Sequence, residues 1–345
     1  MLTWYDRYGR LLPWRKTKDP YRIWLSEIML QQTQVKTVIP YYHRWLQEFP
    51  TIHAVAEAPL DAIIKQWEGL GYYARCRNFY TAAQMVRDKN DGNIPMAREE
   101  FRQLPGVGDY TANMVLSIVC REPLPALDGN LQRIGYRLLG LKRETPYNQR
   151  RVEKYFTTLI DRNRPGDFNQ ALMDLGSDIC RAREVSCHRC PLKQHCTTAG
   201  KSNPLDYPQL RRQKEIPHRH VFAGFIQSGD KFLVRRRAEK LLHGLWELPA
   251  VFLDYHRDED LIKEKMETHT GYQLNYQYTS GTITHQYSHF ILTATLFHYR
   301  LSGVTHGNDK PNQRWITRDE IQEYAFHKAS HKLFSLLDSS PAHDA

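Results

Sequence analysis

Two carboxylic acids in this 345-residue sequence lie where they could take part in catalysis. Glu27 interrupts an apolar stretch that contains Ile28 and Leu30, and partial burial there would raise the pKa of its carboxyl group, as a general acid requires. Asp128 precedes a helix pattern, where the positive end of the helix dipole would keep it ionised and able to stabilise a sugar cation. Each also has an ordinary interpretation: a hydrogen-bonded helix glutamate and a helix cap.

A group of cysteines near residue 190 has the spacing of metal ligands. Its members follow the pattern C-x6-C-x2-C-x5-C: Cys180, Cys187, Cys190 and Cys196. Structural zinc sites usually combine two C-x2-C pairs, and only one is present here, so the spacing favours a [4Fe-4S] cluster while zinc stays open. The remaining cysteines, Cys76 and Cys120, lie beside helical apolar residues and are predicted to be small core residues.

A glycine-containing turn at 104–108 could bind a phosphate. Its sequence, Leu-Pro-Gly-Val-Gly, precedes a helix that we expect to start near Asp109. Gly106 and Gly108 allow a tight turn whose backbone N–H groups stay open, and the helix adds its positive dipole end. Such a turn would hold DNA without reading its sequence. An ordinary turn between two helices is the alternative.

The spacing of apolar residues predicts helices up to about residue 200. The first long helix should start at Asp19-Pro20, a capping residue followed by proline, and continue past Gln34. Prolines should separate the helices that follow: Pro40, Pro50 and Pro59. Residues 201–217 are rich in proline, lysine and arginine and are predicted to form a linker.

Beyond this linker the pattern favours strands. Alternating apolar residues predict strands at 221–225, 232–234 and 291–296, with a turn at Gly229-Asp230. The chain is therefore predicted to be multidomain, with an all-α part followed by an α+β part.

The charge balance favours a nucleic-acid partner. The formal charge is +10, and residues 1–217 hold 33 Lys and Arg against 23 Asp and Glu, whereas residues 218–345 hold 15 of each. A basic part joined to a neutral part is typical of a protein that binds a polyanion, although a well-solvated surface is the alternative. The first residues lack a signal-peptide pattern and no apolar run has the length of a membrane span, so we expect a cytosolic protein.

Five motifs, in this order, resemble those of the adenine DNA glycosylase family. They are the segments 24–34, 69–78, 104–108 and 127–130, followed by the four cysteines. The resemblance implies that residues 1–200 form an all-α helix-hairpin-helix glycosylase domain with a [4Fe-4S] cluster bound by these cysteines. It further implies that residues 218–345 form an α+β Nudix-like domain that inspects 8-oxoguanine opposite the adenine.

The resemblance also implies roles in the removal of adenine. Glu27 matches the acid that protonates the base at N7, and Asp128 matches the aspartate that stabilises the oxocarbenium sugar. Tyr110 and Asn130 match residues that position Asp128 and the intermediate. Tyr110 also stands where bifunctional relatives such as endonuclease III carry a lysine. Because a phenol cannot form a Schiff base, we expect base removal without efficient strand cleavage.

Other matched residues are expected to contact DNA. Flipping a base out of the duplex leaves a gap that side chains must fill. The candidates for this wedge are Gln32, Leu70 and Tyr72. The residues that match the lining of the adenine pocket are Arg10, Leu12, Trp14 and Arg15. Core packing remains the alternative for Leu12 and Trp14.

The C-terminal part resembles a Nudix domain that has lost its metal ligands. Aligning the pyrophosphohydrolase motif on Gly271 puts other residues where Arg, Glu, Glu and Glu are needed: Glu264, Lys265, Thr268 and His269. Nucleotide hydrolysis is therefore not expected. A later segment resembles the family's Phe-Ser-His loop, in which the serine reads the oxidised base: Tyr287, Ser288 and His289. Tyr287 replaces the usual phenylalanine, and its ring should still wedge into DNA.

Together these observations predict a monofunctional glycosylase that excises adenine opposite 8-oxoguanine or guanine. Its partner would be double-stranded DNA with such mispairs. We expect a monomer that contacts no membrane and lies in a bacterial-type cytoplasm, associated with the nucleoid. The alternatives are a damage-recognition module without catalysis and an endonuclease-III-like bifunctional or zinc-containing enzyme, which Tyr110 opposes.

Overall fold

The computed structural model describes residues 1–200, 203–209, 215–253, 258–302 and 310–338. Of the predicted linker, residues 201–202 and 210–214 lie outside this part of the chain, and Pro204–Asp206 forms one 3-10 turn.

Contacts divide the chain into two compact units. Unit 1 comprises Met1–Ala58 and Arg75–Gln213, and unit 2 comprises Pro59–Ala74 and Lys214–Ala345. No signal in the sequence predicted that Pro59–Ala74 would pack with the C-terminal part.

Helices form most of unit 1, as predicted. In chain order the α-helices of the described residues are α1 (Leu2–Tyr8), α2 (Pro20–Leu30), α3 (Val35–Glu48), α4 (Ile52–Glu57), α5 (Leu60–Gln66), α6 (Tyr73–Asn90), α7 (Arg98–Phe101), α8 (Asp109–Val119), α9 (Gly129–Leu138), α10 (Pro146–Leu159), α11 (Pro165–Asp174), α12 (Glu259–Thr270) and α13 (Lys328–Asp338). The Asp19 side chain caps α2 by accepting from the Tyr21 N–H. Ile134, Phe156 and Leu172 join α9, α10 and α11 in one apolar cluster.

The prediction of one helix that continues past Gln34 is wrong, because the chain breaks between α2 and α3. Gln32 has a φ of +57°, a left-handed conformation that ends the helix. The guanidinium of buried Arg75 donates to the carbonyl oxygens of Ile28 and Met29 at 2.9 and 2.8 Å. A cation from α6 thus satisfies carbonyls at the end of α2 that a continuing helix would have paired.

Two smaller predictions are also wrong. Pro40 lies inside α3 instead of separating two helices. The helix persists there because Tyr42 and Trp45 are buried against the core, and packing outweighs the lost backbone hydrogen bond. Cys120 is exposed at the end of α8, whereas Cys76 is buried as predicted.

Unit 2 contains a mixed sheet, which confirms the predicted strands. Its seven strands within the described residues are β1 (His218–Ser228), β2 (Lys231–Arg236), β3 (Trp246–Glu247), β4 (Ala250–Phe252), β5 (Leu274–Gln286), β6 (Ile291–Leu301) and β7 (Gln313–Ile316). The strand order is β3-β2-β1-β6-β5, with β4 also paired to β1 and β7 to β2. Strands β1 and β6 run parallel, with His218 opposite Ile291, and the other pairs are antiparallel.

The two faces of this sheet pack against different helices, because alternate residues of a strand point to opposite faces. Phe222 packs in one apolar cluster with Met266 of α12. Phe225 packs in the other cluster with Phe334 of α13. Within the described ranges, no helix combines the length and the apolar character that a bilayer crossing demands.

Candidate active site

Glu27 lies on α2 and is only 3% exposed. Tyr110 on α8 donates a hydrogen bond from its hydroxyl to Glu27 Oε2 at 2.8 Å. Burial raises the pKa of Glu27 to about 7, against the lowering effects of the Tyr110 hydrogen bond and the nearby Arg15 cation. The side chain can therefore hold a proton near neutral pH and release it, as a general acid does.

Asp128 caps α9, as predicted. Its Oδ1 accepts from the Leu131 N–H at 2.8 Å, and its Oδ2 accepts from the Asn130 side-chain amide at 2.7 Å. Burial nevertheless raises the pKa of Asp128 above its ordinary value of 3.8, and the hydrogen bonds only oppose this rise. The helix end is thus not the main influence on the pKa of Asp128. Its hydrogen bonds lower this pKa, but the loss of water on burial raises it by more.

Electrostatic effects place these groups in one site. The negative charge of Asp128 raises the pKa of Glu27. Burial, together with the charges of Glu27 and Asp128, raises the pKa of Tyr110 well above 10, so its hydroxyl stays protonated. That hydroxyl also lies 3.7 Å from Met173 Sδ, but its single proton favours the shorter contact to Glu27. The site therefore joins an acid, a second carboxyl group and a neutral donor.

A chain of hydrogen bonds leads from Asp128 towards the cysteines. Asn130, which donates to Asp128, accepts from Arg133 at 2.9 Å. Arg133 also donates to the backbone carbonyls of Gly176 and Cys180, at 2.7 and 3.0 Å. The orientation of the Asn130 amide is therefore set by a residue one helical turn further along α9.

The expected pocket residues at 10–15 divide into two kinds. Arg10 and Arg15 both bind the carboxylate of Asp174 on α11, with contacts from 2.5 to 3.0 Å. Leu12 and Trp14 are each 6% exposed, so most of their surface is used in packing. Sequence reasoning missed Asp174, whose signal is a carboxylate on the buried face of α11.

The loop before Asp128 is held by amide side chains, which were also missed. Residues 121–128 belong to no helix or strand. Asn169 on α11 is fully buried; its Nδ2 donates to the Leu124 carbonyl at 2.9 Å, and its Oδ1 accepts from the Ala126 N–H at 3.0 Å. Asn113 on α8 donates to the carbonyl between them at 2.9 Å. These amides replace the backbone pairing that this loop does not make itself.

The glycine-containing turn at 104–108 joins α7 to α8, and the predicted helix start at Asp109 is confirmed. Gly106 has a φ of +82°, and a Cβ there would meet Asn78 Cβ at 3.0 Å. Glycine is therefore needed at this position. Gly108 precedes α8 with open space around it, and both glycines are exposed, as contact with a phosphate requires.

The three wedge candidates differ in exposure. Gln32 is exposed in its left-handed turn, whereas Leu70 is only 5% exposed. Tyr72 is 41% exposed and has a φ of +49°. A left-handed backbone is costly for so bulky a residue, and such strain concentrates at functional positions. Within unit 2, the Tyr72 hydroxyl lies 2.7 Å from Ser288 Oγ.

The expected recognition loop joins β5 to β6. Ser288 and His289 are exposed, and the Tyr287 N–H donates to the Phe290 carbonyl at 2.9 Å to close the turn. The Tyr287 ring stacks on Phe290 with centroids 4.7 Å apart, and burial raises its pKa to about 12. The Tyr287 ring thus packs at the base of the loop, and Ser288 and His289 are exposed to solvent.

A cavity of about 410 Å³ lies beside α12. Its lining includes the four residues that the sequence aligned with the Nudix motif: Glu264, Lys265, Thr268 and His269. With Glu239 and Arg235, the lining has two carboxylates and three basic side chains, whereas a divalent metal prefers several carboxylate oxygens without competing cations. The loss of nucleotide hydrolysis stays a prediction.

The four cysteines line one small cavity of about 30 Å³. Arg137, which is 2% exposed, joins them there and donates to Cys180 Sγ at 3.1 Å. Burial, and then the charges of the other three cysteines, raise the pKa of Cys190 to about 11. In the part of the chain that the structure describes, no three His, Cys, Asp or Glu side chains are close enough to count as a metal site. Four cysteines around one cavity, with a buried cation beside them, nevertheless suit an anionic cluster.

Comparison with known proteins defines the class. The sequence matches the HhH-GPD superfamily of base excision DNA repair proteins over residues 25–161 and the NUDIX domain over residues 221–336. A solved thermostable thymine-DNA glycosylase is similar, with a TM-score of 0.54 and 28% identity over 58% of this chain and 93% of that one. Endonuclease III in a non-covalent DNA complex is also similar, with a TM-score of 0.50 and 25% identity over 58% of this chain and 92% of that one. The fold is thus that of a helical base excision repair protein with a Nudix-like domain.

The curated relatives narrow this class. Adenine DNA glycosylase of Rattus norvegicus is 31% identical over 98% of this chain and 77% of its own length. The adenine DNA glycosylase of Buchnera aphidicola subsp. Baizongia pistaciae is 35% identical over 76% of this chain and 74% of its own. The chain belongs to the adenine DNA glycosylase family, which confirms the resemblance seen in the five motifs.

Proposed function

We propose that this protein hydrolyses the N-glycosidic bond of adenine opposite 8-oxoguanine or guanine in double-stranded DNA. The observation that carries the proposal is Glu27, a buried acid with a pKa of about 7, in the field of Asp128. The names of the relatives support adenine as the base that is removed. A protein that only recognised damage would have no use for this pair of carboxyl groups.

Glu27 supplies the proton in this proposal. It donates to N7 of the flipped adenine, so that the base leaves as a neutral molecule when the bond to C1′ of the sugar breaks. Tyr110 holds the carboxyl group in place through its 2.8 Å hydrogen bond. A water molecule then adds to C1′ and gives up one proton to the Glu27 carboxylate, which restores the acid and completes the hydrolysis.

Asp128 stabilises the positive charge that develops on the sugar. Its two hydrogen bonds, from Leu131 and Asn130, fix the direction of the carboxylate. A charge that is already oriented needs no reorganisation when the cation forms, which is the main advantage of a preorganised site.

Base removal in this proposal is not followed by efficient strand cleavage. Strand cleavage of the bifunctional type needs an amine that attacks C1′ and forms a Schiff base. Position 110 carries a phenol, which donates a hydrogen bond to Glu27 and whose pKa is raised well above 10 by burial. The protein is therefore expected to leave an intact strand with an abasic site.

DNA contacts in this proposal fall to exposed groups. Gly106 and Gly108 bind a backbone phosphate, Gln32 and Tyr72 enter the gap left by the flipped base, and Ser288 and His289 read the opposite base. Arg10 and Arg15, held by Asp174, border the adenine pocket with Leu12 and Trp14. Leu70 supports these contacts from a buried position and Tyr287 from a partly buried one.

The four cysteines would hold a [4Fe-4S] cluster. Bound there, such a cluster would supply a rigid, redox-capable anion, and Arg137 would offset its charge. The purified protein should then be yellow-brown and contain about four irons per chain. Action as a cytoplasmic, nucleoid-associated monomer belongs to the same proposal.

One assay tests substrate and reaction together. Duplexes with adenine opposite 8-oxoguanine, guanine, cytosine or thymine are incubated with the protein, and half of each sample is then treated with alkali. We expect strand breaks only after alkali, and chiefly for the first two duplexes. Breaks without alkali would favour a bifunctional enzyme, and no release of adenine from any duplex would refute the proposal.

A further inference from the structure

The segment Pro59–Ala74 belongs to unit 2, although the chain on both sides of it belongs to unit 1. It contains α5 and ends in the turn that carries Tyr72. Among the hydrogen bonds that attach this segment to the rest of unit 2, two are accepted by one side chain, Glu68.

The Glu68 carboxylate is held from three directions. Its Oε1 accepts from the Phe326 N–H at 2.8 Å and lies 2.7 Å from His331 Nε2. Its Oε2 lies 2.6 Å from Lys65 Nζ, and the side chain is 15% exposed. Burial acts to raise the pKa of Glu68, but the hydrogen bonds from these three groups together lower it below 4.5. The anion is therefore the form that this site stabilises.

A neighbouring ion pair makes a weaker attachment. Asp61 lies 2.5 Å from Arg236, but its side chain is 64% exposed, so solvent and salt screen the pair. Lys65, in contrast, donates to the Tyr324 carbonyl at 2.7 Å in addition to its contact with Glu68. Asp61 and Glu68 thus form a matched pair of carboxylates on one segment, one exposed and one held firmly.

The turn between Glu68 and Tyr72 is tight. Gly69 and Gly71 have φ values of +89° and +79°, and the Gly69 N–H donates to the Tyr73 hydroxyl at 3.0 Å. Trp67 Nε1 also donates to the Gly71 carbonyl at 3.0 Å, so hydrogen bonds brace the turn at both glycines. A change in the position of Glu68 should therefore reach the ring of Tyr72.

Tyr72 is fixed at its other end by the recognition loop. Its hydroxyl lies 2.7 Å from Ser288 Oγ, and either oxygen can be the donor. The serine that would read the opposite base and the tyrosine that would enter the gap are thus in direct contact. Glu68 attaches the backbone turn that carries Tyr72, and Ser288 contacts the hydroxyl at the end of the Tyr72 side chain.

We infer that Glu68 is a specificity-determining positioning residue, which keeps Tyr72 against Ser288 and so sets the preference for 8-oxoguanine over guanine. This inference rests on the proposed function. Glu27, Tyr110 and Asp128 belong to unit 1 and make their hydrogen bonds there. Loss of Glu68 should therefore change which mispair is chosen more than the rate at which the bond breaks.

The test compares Glu68→Gln with Asp61→Asn. Single-turnover rates are measured on adenine opposite 8-oxoguanine and opposite guanine. For Glu68→Gln we expect the ratio of these rates to fall about tenfold, the size expected when a hydrogen bond to a charged group is lost. The rate opposite guanine should stay within about twofold of the unmodified protein. Asp61→Asn should leave the ratio unchanged.

A coupling measurement separates positioning from folding. If Glu68 acts through the Tyr72–Ser288 contact, Glu68→Gln should lower the ratio much less in a Ser288→Ala background. Binding to duplexes with a non-cleavable adenine analogue should show the same loss of preference. An unchanged ratio, or an equal fall of both rates with a lower melting temperature, would overturn the inference. An unmodified protein that releases adenine from neither duplex refutes the proposed function instead, and the inference falls with it.

Discussion

The candidate catalytic groups and the groups proposed to recognise the opposite base are held in different ways. Glu27 is buried in unit 1, and Asp128, partly buried there, is held by two hydrogen bonds. Ser288 is exposed in unit 2, where one hydroxyl contact joins it to Tyr72, itself in a left-handed turn. Breaking a bond benefits from a dry, preorganised site, whereas reading a base requires groups that DNA can reach. Damage to the first region should therefore be severe and non-selective, and damage to the second mild and selective.

Glu27→Gln should have the largest effect. The amide keeps the shape of the side chain but cannot donate an acidic proton, so the rate of adenine release should fall by about a thousandfold or more. Affinity for the mispair should be retained, which a gel-shift assay can measure. Glu48→Gln, an exposed change on α3, is the matched control. Equal turnover by the Glu27 variant would remove it from the role of acid.

Asn169→Leu should come next, because it removes the amide that fixes the loop before Asp128. A displacement of a reacting group by about 1 Å can cost roughly a hundredfold in rate. We expect a loss of this order on both mispairs alike, with little change in binding. Val152→Ala, a buried change elsewhere in unit 1, controls for lost stability. If both variants lose activity only in proportion to their melting temperatures, Asn169 has no positioning role.

The pH dependence should identify the acid. Because Glu27 donates its proton, its active fraction falls as pH rises through its pKa of about 7, and the single-turnover rate should decline on the alkaline side. The Tyr110 hydrogen bond lowers this pKa by favouring the ionised carboxylate, so Tyr110→Phe should move the alkaline decline to higher pH. A decline that stays in place would show that another group controls it.

Ser288→Ala should have the smallest effect on rate. It removes one exposed hydroxyl, so adenine release opposite guanine should barely change, while the preference for 8-oxoguanine should fall by about tenfold or less. Thr282→Ala, another hydroxyl on the β5–β6 hairpin, is the control. A large loss of rate on both mispairs would contradict the assignment of base removal to unit 1 and of base recognition to unit 2.

The sequence was sufficient where local patterns determine the structure. The cap at Asp128, the start of α8 at Asp109 and the strands of unit 2 each depend on a few neighbouring residues. The motifs alone also indicate Glu27 and Asp128 as candidates. The fold class followed from the same patterns together with the family resemblance.

The sequence was insufficient where distant residues meet. The end of α2 depends on Arg75, the loop before Asp128 depends on Asn169, and the attachment of Tyr72 depends on Glu68. Each of these contacts joins residues more than forty positions apart, as with Arg75 and Ile28. No periodicity or local propensity encodes such a pairing, because it exists only after the elements have packed.

The membership of Pro59–Ala74 in unit 2 has a practical consequence for any truncated form of the protein. A stop codon placed after residue 217 would seem to isolate the part of the protein that carries the candidate catalytic residues. Such a fragment would keep Glu68 and Lys65 but would lack Phe326 and His331. The segment Pro59–Ala74 would therefore lose its packing partners in unit 2. Gene truncation would thus injure both halves at once, and single substitutions are the cleaner way to separate them.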